Sequence, residues 1–173
     1  VGEVYEAPAI LGRSRFDLVF TGVGALCWLP DIRRWAQVVA ALLRPGGRLF
    51  LREGHPMLWT LDDVGDDGRL VVRFPYFEQD EPTVWDEPGT YVETDVVFEH
   101  NVTHEWNHGL GEIVMALLDA GLDLELLVEH DSVPWDAFPG HMDDIGGGER
   151  RLRERPERLP HSYTLVARRR PEA

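Results

Sequence analysis

The sequence predicts an α/β fold: strands of a parallel sheet alternate with helices, and an antiparallel β cap is inserted along the chain. Three observations predict it. Residues 16–21, FDLVFT, form a short apolar run rich in β-formers, which is typical of a buried strand. A segment with helical spacing of apolar residues follows it. The stretch 57–102 is acidic, aromatic and interrupted by Pro and Gly. The length of 173 residues suits one domain.

The first part of the chain predicts a strand–helix–strand unit. FDLVFT is the first strand, and Asp31 is a good N-cap after the loop GVGALCWLP. The apolar residues from Ile32 to Leu43 then repeat with the period of a helix, which Pro45-Gly46-Gly47 ends. RLFLRE is the second strand, and we expect the crossover between the two strands to be right-handed.

The middle of the chain, residues 57–102, predicts a cap inserted into a single domain that spans residues 1–173. Alternation in VVRFPYF and in YVETDVVFEH indicates antiparallel strands. The α/β pattern then resumes with the amphipathic segment LGEIVMALLDAG, where Gly121 suits the C′ position of a helix. LELLVEH and HSYTLVARR predict the last two strands, and residues 140–160 between them predict a polar loop.

Composition narrows the classes of function. The net charge of −14 disfavours general binding of nucleic acid, which depends on neutralising phosphates, and favours a small-molecule or protein partner. No run approaches the roughly 18 apolar residues of a membrane span, so the sequence predicts no membrane partner. The start of the chain is neither basic nor apolar and Cys27 is its one cysteine, so we expect a cytoplasmic protein without disulfides.

The order and spacing of these segments resemble a known family. FDLVFTGVGALCWLPD followed by RRWAQVVAALLRPGGRLFLREGHP is similar to the central part of a class I S-adenosylmethionine-dependent methyltransferase, whose fourth strand typically reads F-D-L-V. GEVYEAP, just upstream, resembles the end of that family's third strand. The resemblance implies a partial Rossmann-like methyltransferase sheet, S-adenosylmethionine as the cofactor, and methyl transfer to a small-molecule acceptor.

Two motifs of the family do not appear in this sequence. One is the Gly-rich turn after the first strand. Gly22-Val23-Gly24 does not correspond to that turn, because it follows the segment that resembles the fourth strand and no helix begins directly after it. The acidic residue that binds the ribose is the other. The chain therefore resembles the C-terminal two-thirds of a methyltransferase, and we expect it alone to show no measurable binding of S-adenosylmethionine in a calorimetric titration. An unpaired fourth strand would leave an apolar sheet edge, so we also expect a homodimer or aggregation.

The resemblance assigns cofactor contacts to two segments. In open α/β sheets, ligands lie beyond the carboxyl ends of the strands, where the loops converge. Glu3 and Val4 would contact the adenine, and Thr21, Gly22 and Trp28 would line the methionine side. An exposed acid near the terminus is the alternative interpretation of Glu3, and core packing is the alternative for Trp28.

The segment THEWNHGLGE contains H-E-x-x-H, the signature of zinc metalloproteases. A zinc site needs both histidines on one face of a helix and a third protein ligand. The position of a third histidine is occupied by Val114, and Asn107, Gly109 and Gly111 are poor helix formers. The sequence therefore predicts no metal site, and it places His104 and His108 between the cap and the next helix.

Several residues are candidates for the acceptor side of the site. Methyl transfer needs an aligned nucleophile, sometimes deprotonated by a base, and histidine suits that role because its pKa lies near neutrality. His55 and His104 are the candidate catalytic residues, expected to line one pocket with the loop 21–28, and the candidate substrate contacts are Glu105, His108 and Trp59. Each histidine has the alternative of a hydrogen-bonded residue at the rim. The cap aromatics form either an acceptor pocket or the cap's own core.

Three functions follow from these patterns. The first is methyl transfer from S-adenosylmethionine to a small molecule. The second is a non-catalytic methyltransferase-like fragment or binding module, and the third is a zinc hydrolase. The sequence identifies neither the acceptor nor the atom that is methylated.

Overall fold

The structure is a computed structural model, and it describes residues 2–62, 64–65, 68–86 and 99–171. Three helices and eight strands are present in this part of the chain. The helices are α1 (Ala7–Leu11), α2 (Ile32–Leu42) and α3 (Leu110–Asp119). The strands are β1 (Phe16–Thr21), β2 (Leu43–Gly54), β3 (Thr83–Asp86), β4 (Val102–Glu105), β5 (Leu122–His130), β6 (Met142–Gly146), β7 (Glu149–Leu152) and β8 (Ser162–Arg169).

The main sheet has four strands in the order β1-β2-β8-β5. β1 and β2 are parallel, as the strand–helix–strand unit predicts, and β8 lies antiparallel to both of its neighbours. The mixed sheet with its helices confirms the predicted α/β class. Because β1 and β2 run in the same direction, the loops that follow Thr21 and Gly54 leave the sheet at the same edge.

The helices form where capping and apolar spacing agree. Asp31 has extended backbone, and its side chain accepts a hydrogen bond from the Arg34 amide at 2.9 Å, which satisfies one free N–H of the first turn of α2. Gly121 follows α3 with a φ of 86°, as the sequence predicts. α2 and α3 contact each other and bury their apolar sides. The buried residues of this core include Ile32, Trp35, Val39, Leu49, Leu51, Ile113, Leu117 and Leu165.

Apolar side chains are also exposed on the main sheet. Phe20 of β1 and Phe50 of β2 are register partners, and their rings stack with centroids 5.9 Å apart. Phe20 is 65% exposed. Val166 of β8 pairs with both Phe50 and Leu126 of β5, so Leu126 lies in the same row across the sheet, and it is 44% exposed. β1 is an edge strand among the described strands. The described part of the chain thus leaves an apolar row open at the sheet edge.

The cap is antiparallel where the structure describes it, because β3 pairs with β4 in register from Thr83–Glu105 to Asp86–Val102. Three details of the sequence-based assignment are wrong. VVRFPYF contains no named strand, only an isolated bridge from Val72 to Leu61. GEVYEAP is a 3-10 turn followed by α1 rather than the end of a strand. Residues 140–160 contain the hairpin β6–β7. Most of YVETDVVFEH lies outside the described residues.

The hairpin has its own apolar contacts. Val133, Met142 and Leu152 belong to a second buried cluster, which also contains Leu58 at the start of the cap region. β7 is thus anchored through Leu152, although its other three residues are charged, which is why a polar composition did not predict a strand here. Within the part of the chain described here, no helix combines the length and apolar character that crossing a membrane requires.

Candidate functional site

The carboxyl edge of the main sheet is organised around Glu53, the penultimate residue of β2. Its carboxylate accepts hydrogen bonds from the amides of Gly24 at 2.5 Å, Ala25 at 3.0 Å and Leu26 at 3.2 Å. The amide of Gly54 donates a fourth bond, at 2.8 Å. Glu53 is 4% exposed. The loop after β1 is therefore held against the end of β2 by one buried side chain.

Glu53 is a residue of the site that sequence reasoning did not single out. Gly24 has a φ of 79°, and this left-handed turn starts the run of three successive amides that donate to the carboxylate. Successive backbone N–H groups in such a turn form an anion-binding concavity, here occupied by a residue of the same chain. The signal in the sequence was a carboxylate at the end of an apolar strand, but its partners are about 28 residues away.

A pocket of about 450 Å³ lies between this loop and the cap. Cys27 lines it from the loop after β1, while Trp59, Phe74 and Trp85 belong to the cap. The Trp59 ring packs so closely over Gly54 that a Cβ at that position would lie 2.7 Å from it, so a side chain there would displace the tryptophan. The volume is within the range of small-molecule sites.

A second cavity, of about 20 Å³, shares Cys27, Trp59 and Trp106 with the pocket and extends to the sheet edge. Tyr163 of β8 lines it and is fully buried, and its hydroxyl has no hydrogen-bond partner among the described residues. Burial raises the pKa of Tyr163 well above its usual value, with the charge of Glu53 adding to the effect. The cavity has room for one water molecule, and the neutral phenol is the group that would bind it.

Two carboxylates, those of Glu105 and Glu53, act on the Cys27 thiol in the lining of the pocket. Burial, with the carboxylates of Glu105 and Glu53 adding to its effect, raises the pKa of the Cys27 thiol to about 12. Cys27 is also joined to β4, because its carbonyl accepts a hydrogen bond from the Trp106 amide at 2.9 Å. The thiol is therefore protonated and unreactive at neutral pH.

His108, a predicted substrate contact, is buried and holds the cap to the core. Its Nδ1 lies 2.6 Å from Glu78 Oε2, and its Nε2 lies 2.8 Å from the carbonyl oxygen of Leu29. Glu78 also accepts from the amide of Ile32 at 3.1 Å, next to the start of α2. His108 lines the smaller cavity, but both of its ring nitrogens are already paired.

His55, a predicted catalytic residue, is also buried. Its Nδ1 accepts a hydrogen bond from the amide of Met57 at 3.0 Å, which places the proton of the neutral ring on Nε2. Nε2 lies 3.0 Å from Glu129 Oε1 on β5, an ion-pair distance, but it forms no hydrogen bond of good geometry. Burial lowers the pKa of His55, and Glu129 opposes that shift. The ring thus faces β5.

His104 and Glu105 lie on opposite faces of β4 because successive residues of a strand alternate. Glu105 lines the pocket, whereas His104 is exposed and is the register partner of Val84. Neither His55 nor His104 is among the residues that line this pocket, so the structure does not join them with the loop 21–28 as expected. The H-E-x-x-H segment runs from β4 into an irregular stretch before α3, not along a helix. The structure shows no cluster of metal-binding side chains among the residues it describes.

The predicted cofactor contacts lie at the beginning of the chain and after β1. Thr21 ends β1, Gly22 follows it half-buried, and Trp28 is 45% exposed in a short 3-10 helix, so the core-packing alternative for Trp28 does not hold. Glu3 and Val4 are both exposed at the start of a 3-10 turn. The next residue, Tyr5, anchors this turn because its hydroxyl exchanges hydrogen bonds with the backbone of Asp31.

His161 is a buried histidine with no predicted role in the site. Its Nδ1 lies 2.9 Å from the carbonyl oxygen of Leu159, and its Nε2 has no partner among the described residues. Burial lowers the pKa of His161, partly opposed by the bond to Leu159. The folded chain therefore favours the neutral ring.

Comparison with known proteins gives matches among solved structures. No family model and no curated protein matches the chain. A protein of Listeria monocytogenes assigned to the S-adenosylmethionine-dependent methyltransferases is 14% identical, with a TM-score of 0.58 over 91% of this chain and 63% of its own. An S-adenosylmethionine-dependent methyltransferase of Mesorhizobium loti is 20% identical, with a TM-score of 0.50 over 91% and 63%. One of Methanosarcina mazei is 16% identical, with a TM-score of 0.52 over 92% and 62%.

These matches concern the fold. The chain spans less than two thirds of the length of each of the three structures, and the identities are too low to carry over more than architecture. The matched region covers at least 91% of this chain in each of the three comparisons. The chain therefore has, over most of its length, the fold of the class I S-adenosylmethionine-dependent methyltransferases.

Proposed function

We propose that this chain is part of an S-adenosylmethionine-dependent methyltransferase that acts on a small-molecule acceptor. The observation that carries the proposal is the placement of a pocket of about 450 Å³ beside the loop after β1, at the carboxyl edge of a sheet with the methyltransferase fold. Ligands of open α/β sheets bind at this edge. The pocket is large enough for a small molecule, and most of its lining residues belong to the cap.

The residues present fit one side of the cofactor. Gly22 has no side chain to block a close approach, and Trp28 presents a large exposed ring nearby in the chain. The carboxylates of Glu53 and Glu105, which act on Cys27, would favour a positively charged sulfonium nearby. S-adenosylmethionine, when bound, supplies an electrophilic methyl group carried on that sulfonium.

The chain's own residues would position and shield the reactants. Glu53 fixes the loop after β1 through three amides, so the surface offered by Thr21 and Gly22 is preorganised. Trp59 and the cap aromatics would exclude water from the acceptor. His55 and His104 stay candidates for a catalytic base, and the structure gives Glu105 the more direct access to the pocket.

Titration of the isotopically labelled 173-residue chain with S-adenosylmethionine, followed by amide NMR, tests the proposal. NMR detects millimolar binding, which is the range expected if the Gly-rich turn and the ribose-binding acid contribute nothing. We expect the shifts to concentrate on the amides of residues 21–28. Gly22→Ala should weaken the titration, because the added methyl group stands where the cofactor approaches.

Gly111→Ala is the matched control, since a Cβ at Gly111 meets no atom within 4 Å and the residue lies in α3. At Gly22 the nearest atom to such a Cβ is 3.4 Å away on the Phe20 ring, so that variant should fold as well. Shifts absent from residues 21–28, or equal titrations of the two variants, would contradict a cofactor site at this loop.

A further inference from the structure

Two residues that line the small cavity beside the pocket carry buried polar atoms without a hydrogen-bond partner among the described residues. They are Tyr163, through its hydroxyl, and Trp106, through its indole N–H. Tyr163 is fully buried, and Trp106 is partly exposed but its Nε1 is buried. Buried polar groups are almost always paired. Two such groups on residues of one cavity therefore indicate that a bound atom in the cavity is their partner.

Both groups are hydrogen-bond donors at neutral pH. Burial first, and then the charge of Glu53, raise the pKa of Tyr163 well above its usual value, so the phenol keeps its proton. The same charge shows that the hydroxyl lies near Glu53, which also lines the cavity. The indole N–H of Trp106 can donate but not accept. The complement of this pair is an atom that accepts hydrogen bonds.

The Glu, His and Asn side chains that line the cavity already have partners. The carboxylate of Glu53 offers about four acceptor positions, and four backbone amides donate to it. Both ring nitrogens of His108 are paired, and the side-chain amide of Asn107 donates to two backbone carbonyls at 2.9 and 3.0 Å. A ligand atom in the cavity therefore meets the two unpaired donors rather than an available carboxylate oxygen.

The cavity adjoins the larger pocket. Cys27, Trp59, Trp106 and Asn107 line both of them. Its volume of about 20 Å³ suits one atom of the size of a water oxygen. A molecule in the pocket of about 450 Å³ can therefore place a single oxygen in the cavity.

We propose that the cavity binds one uncharged oxygen, a carbonyl or hydroxyl oxygen of the small molecule in the adjoining pocket, which accepts hydrogen bonds from Trp106 Nε1 and Tyr163 Oη. This inference deepens the proposed function, on which it rests for the role of that molecule as the methyl acceptor. An anionic oxygen would lose its hydration beside the buried charge of Glu53, which costs free energy. A cationic nitrogen has no lone pair for the indole N–H. An ordered water is the other source of such an oxygen, and the experiment distinguishes the two.

The test compares acetophenone with α-methylstyrene, which has a CH2 group in place of the carbonyl oxygen; benzoate is the anionic probe. Each is titrated into the isotopically labelled 173-residue chain without S-adenosylmethionine, and the indole N–H signals are followed by NMR. We expect acetophenone to bind about tenfold more tightly than α-methylstyrene, the order of two net hydrogen bonds, and benzoate to bind more weakly than acetophenone. The indole N–H of Trp106 should move downfield with acetophenone. Those of Trp28 and Trp35, which line neither the pocket nor the cavity, should stay in place.

Two variants remove the donors one at a time. Tyr163→Phe keeps the buried ring and breaks no hydrogen bond to a described residue, so it should fold, and Trp106→Phe removes the indole N–H. Each should reduce the preference for acetophenone over α-methylstyrene severalfold. Trp85→Phe is the matched control, because Trp85 lines the pocket but not the cavity. It should weaken both probes alike and leave the preference unchanged.

Four results would overturn the inference. They are equal affinities for acetophenone and α-methylstyrene, tighter binding of benzoate, no binding of acetophenone up to its solubility limit, and a preference that persists in both Tyr163→Phe and Trp106→Phe. Equal affinities together with a lower Tm of Tyr163→Phe would show that the cavity holds a structural water only.

These outcomes are separate from those of the proposed function. Equal affinities for the two neutral probes would overturn the oxygen site even where S-adenosylmethionine shifts the amides of residues 21–28. A preference for acetophenone in a chain that does not respond to S-adenosylmethionine would support the oxygen site and remove the methyltransferase proposal.

Discussion

Replacing Glu53 with glutamine should destabilise the protein out of proportion to the change of one atom. Oε1 accepts from the amides of Gly24 and Gly54, and Oε2 accepts from those of Ala25 and Leu26. A carboxamide has one acceptor oxygen, and its NH2 group would face two amide donors in either orientation. Because all four partners are donors, no rotation of the glutamine side chain restores the network.

The size of the loss can be worked out from burial. Each orientation leaves two amide donors unpaired, and the buried one of the two, either Gly54 or Leu26, costs about 1–3 kcal/mol. The two hydrogen bonds that remain are accepted by a neutral amide oxygen instead of a charged carboxylate, which weakens each of them by about 1 kcal/mol. The free energy of unfolding should therefore fall by about 3–5 kcal/mol. For a chain of this size, each kcal/mol corresponds to roughly 2–4 °C in Tm.

Urea unfolding of the wild-type chain, Glu53→Gln and Glu125→Gln measures the effect. Glu125 is an exposed glutamate paired with Arg48, so its variant makes the same chemical change without touching the loop and should unfold near the wild-type midpoint. Hydrogen exchange at the Leu26 amide should accelerate in Glu53→Gln. A loss below about 1 kcal/mol with unchanged exchange would refute the reasoning, since it would mean that the loop is held by other contacts.

Four further predictions follow from the same structure. The pKa of His161 is lower in the folded chain than in the unfolded chain, so the folded chain binds fewer protons. The free energy of unfolding should therefore be highest above the unfolded pKa of about 6.5 and should decrease as the pH falls below it. In thermal unfolding, His161→Gln should reduce this pH dependence, whereas the control His100→Gln, at an exposed site, should not. Cys27, with its pKa raised to about 12, should react with iodoacetamide at pH 8 at least about tenfold more slowly in the folded chain than in urea. Protein purified without added metal should contain no stoichiometric zinc by elemental analysis; zinc that is lost in His104→Ala would contradict this. Phe20, exposed on an edge strand, should promote association, so Phe20→Thr should shift sedimentation towards the monomer, and a wild-type chain that is monomeric at high concentration would count against the edge prediction.

The sequence by itself determined the elements that depend on local chemistry. Asp31 caps α2, apolar spacing defines α2 and α3, and Gly121 ends α3, all as local rules predict. FDLVFT, RLFLRE, LELLVEH and HSYTLVARR all form strands of the main sheet. The sequence did not predict the hairpin β6–β7, because its composition is polar and its apolar contacts are with residues far away in the sequence, such as Leu58.

The tertiary structure alone decided the contents of the site. Because side chains alternate along β4, Glu105 lines the pocket and His104 lies on the opposite face of the strand. The pairing of β4 with β3 determines which of these two faces is directed to the pocket. His108 is paired by a glutamate 30 positions earlier, and Glu53 binds amides about 28 positions earlier. Local sequence patterns reflect interactions between residues that are close together in the chain. A buried polar group, in contrast, forms hydrogen bonds with whichever segments the fold brings beside it, and here those segments are distant in sequence.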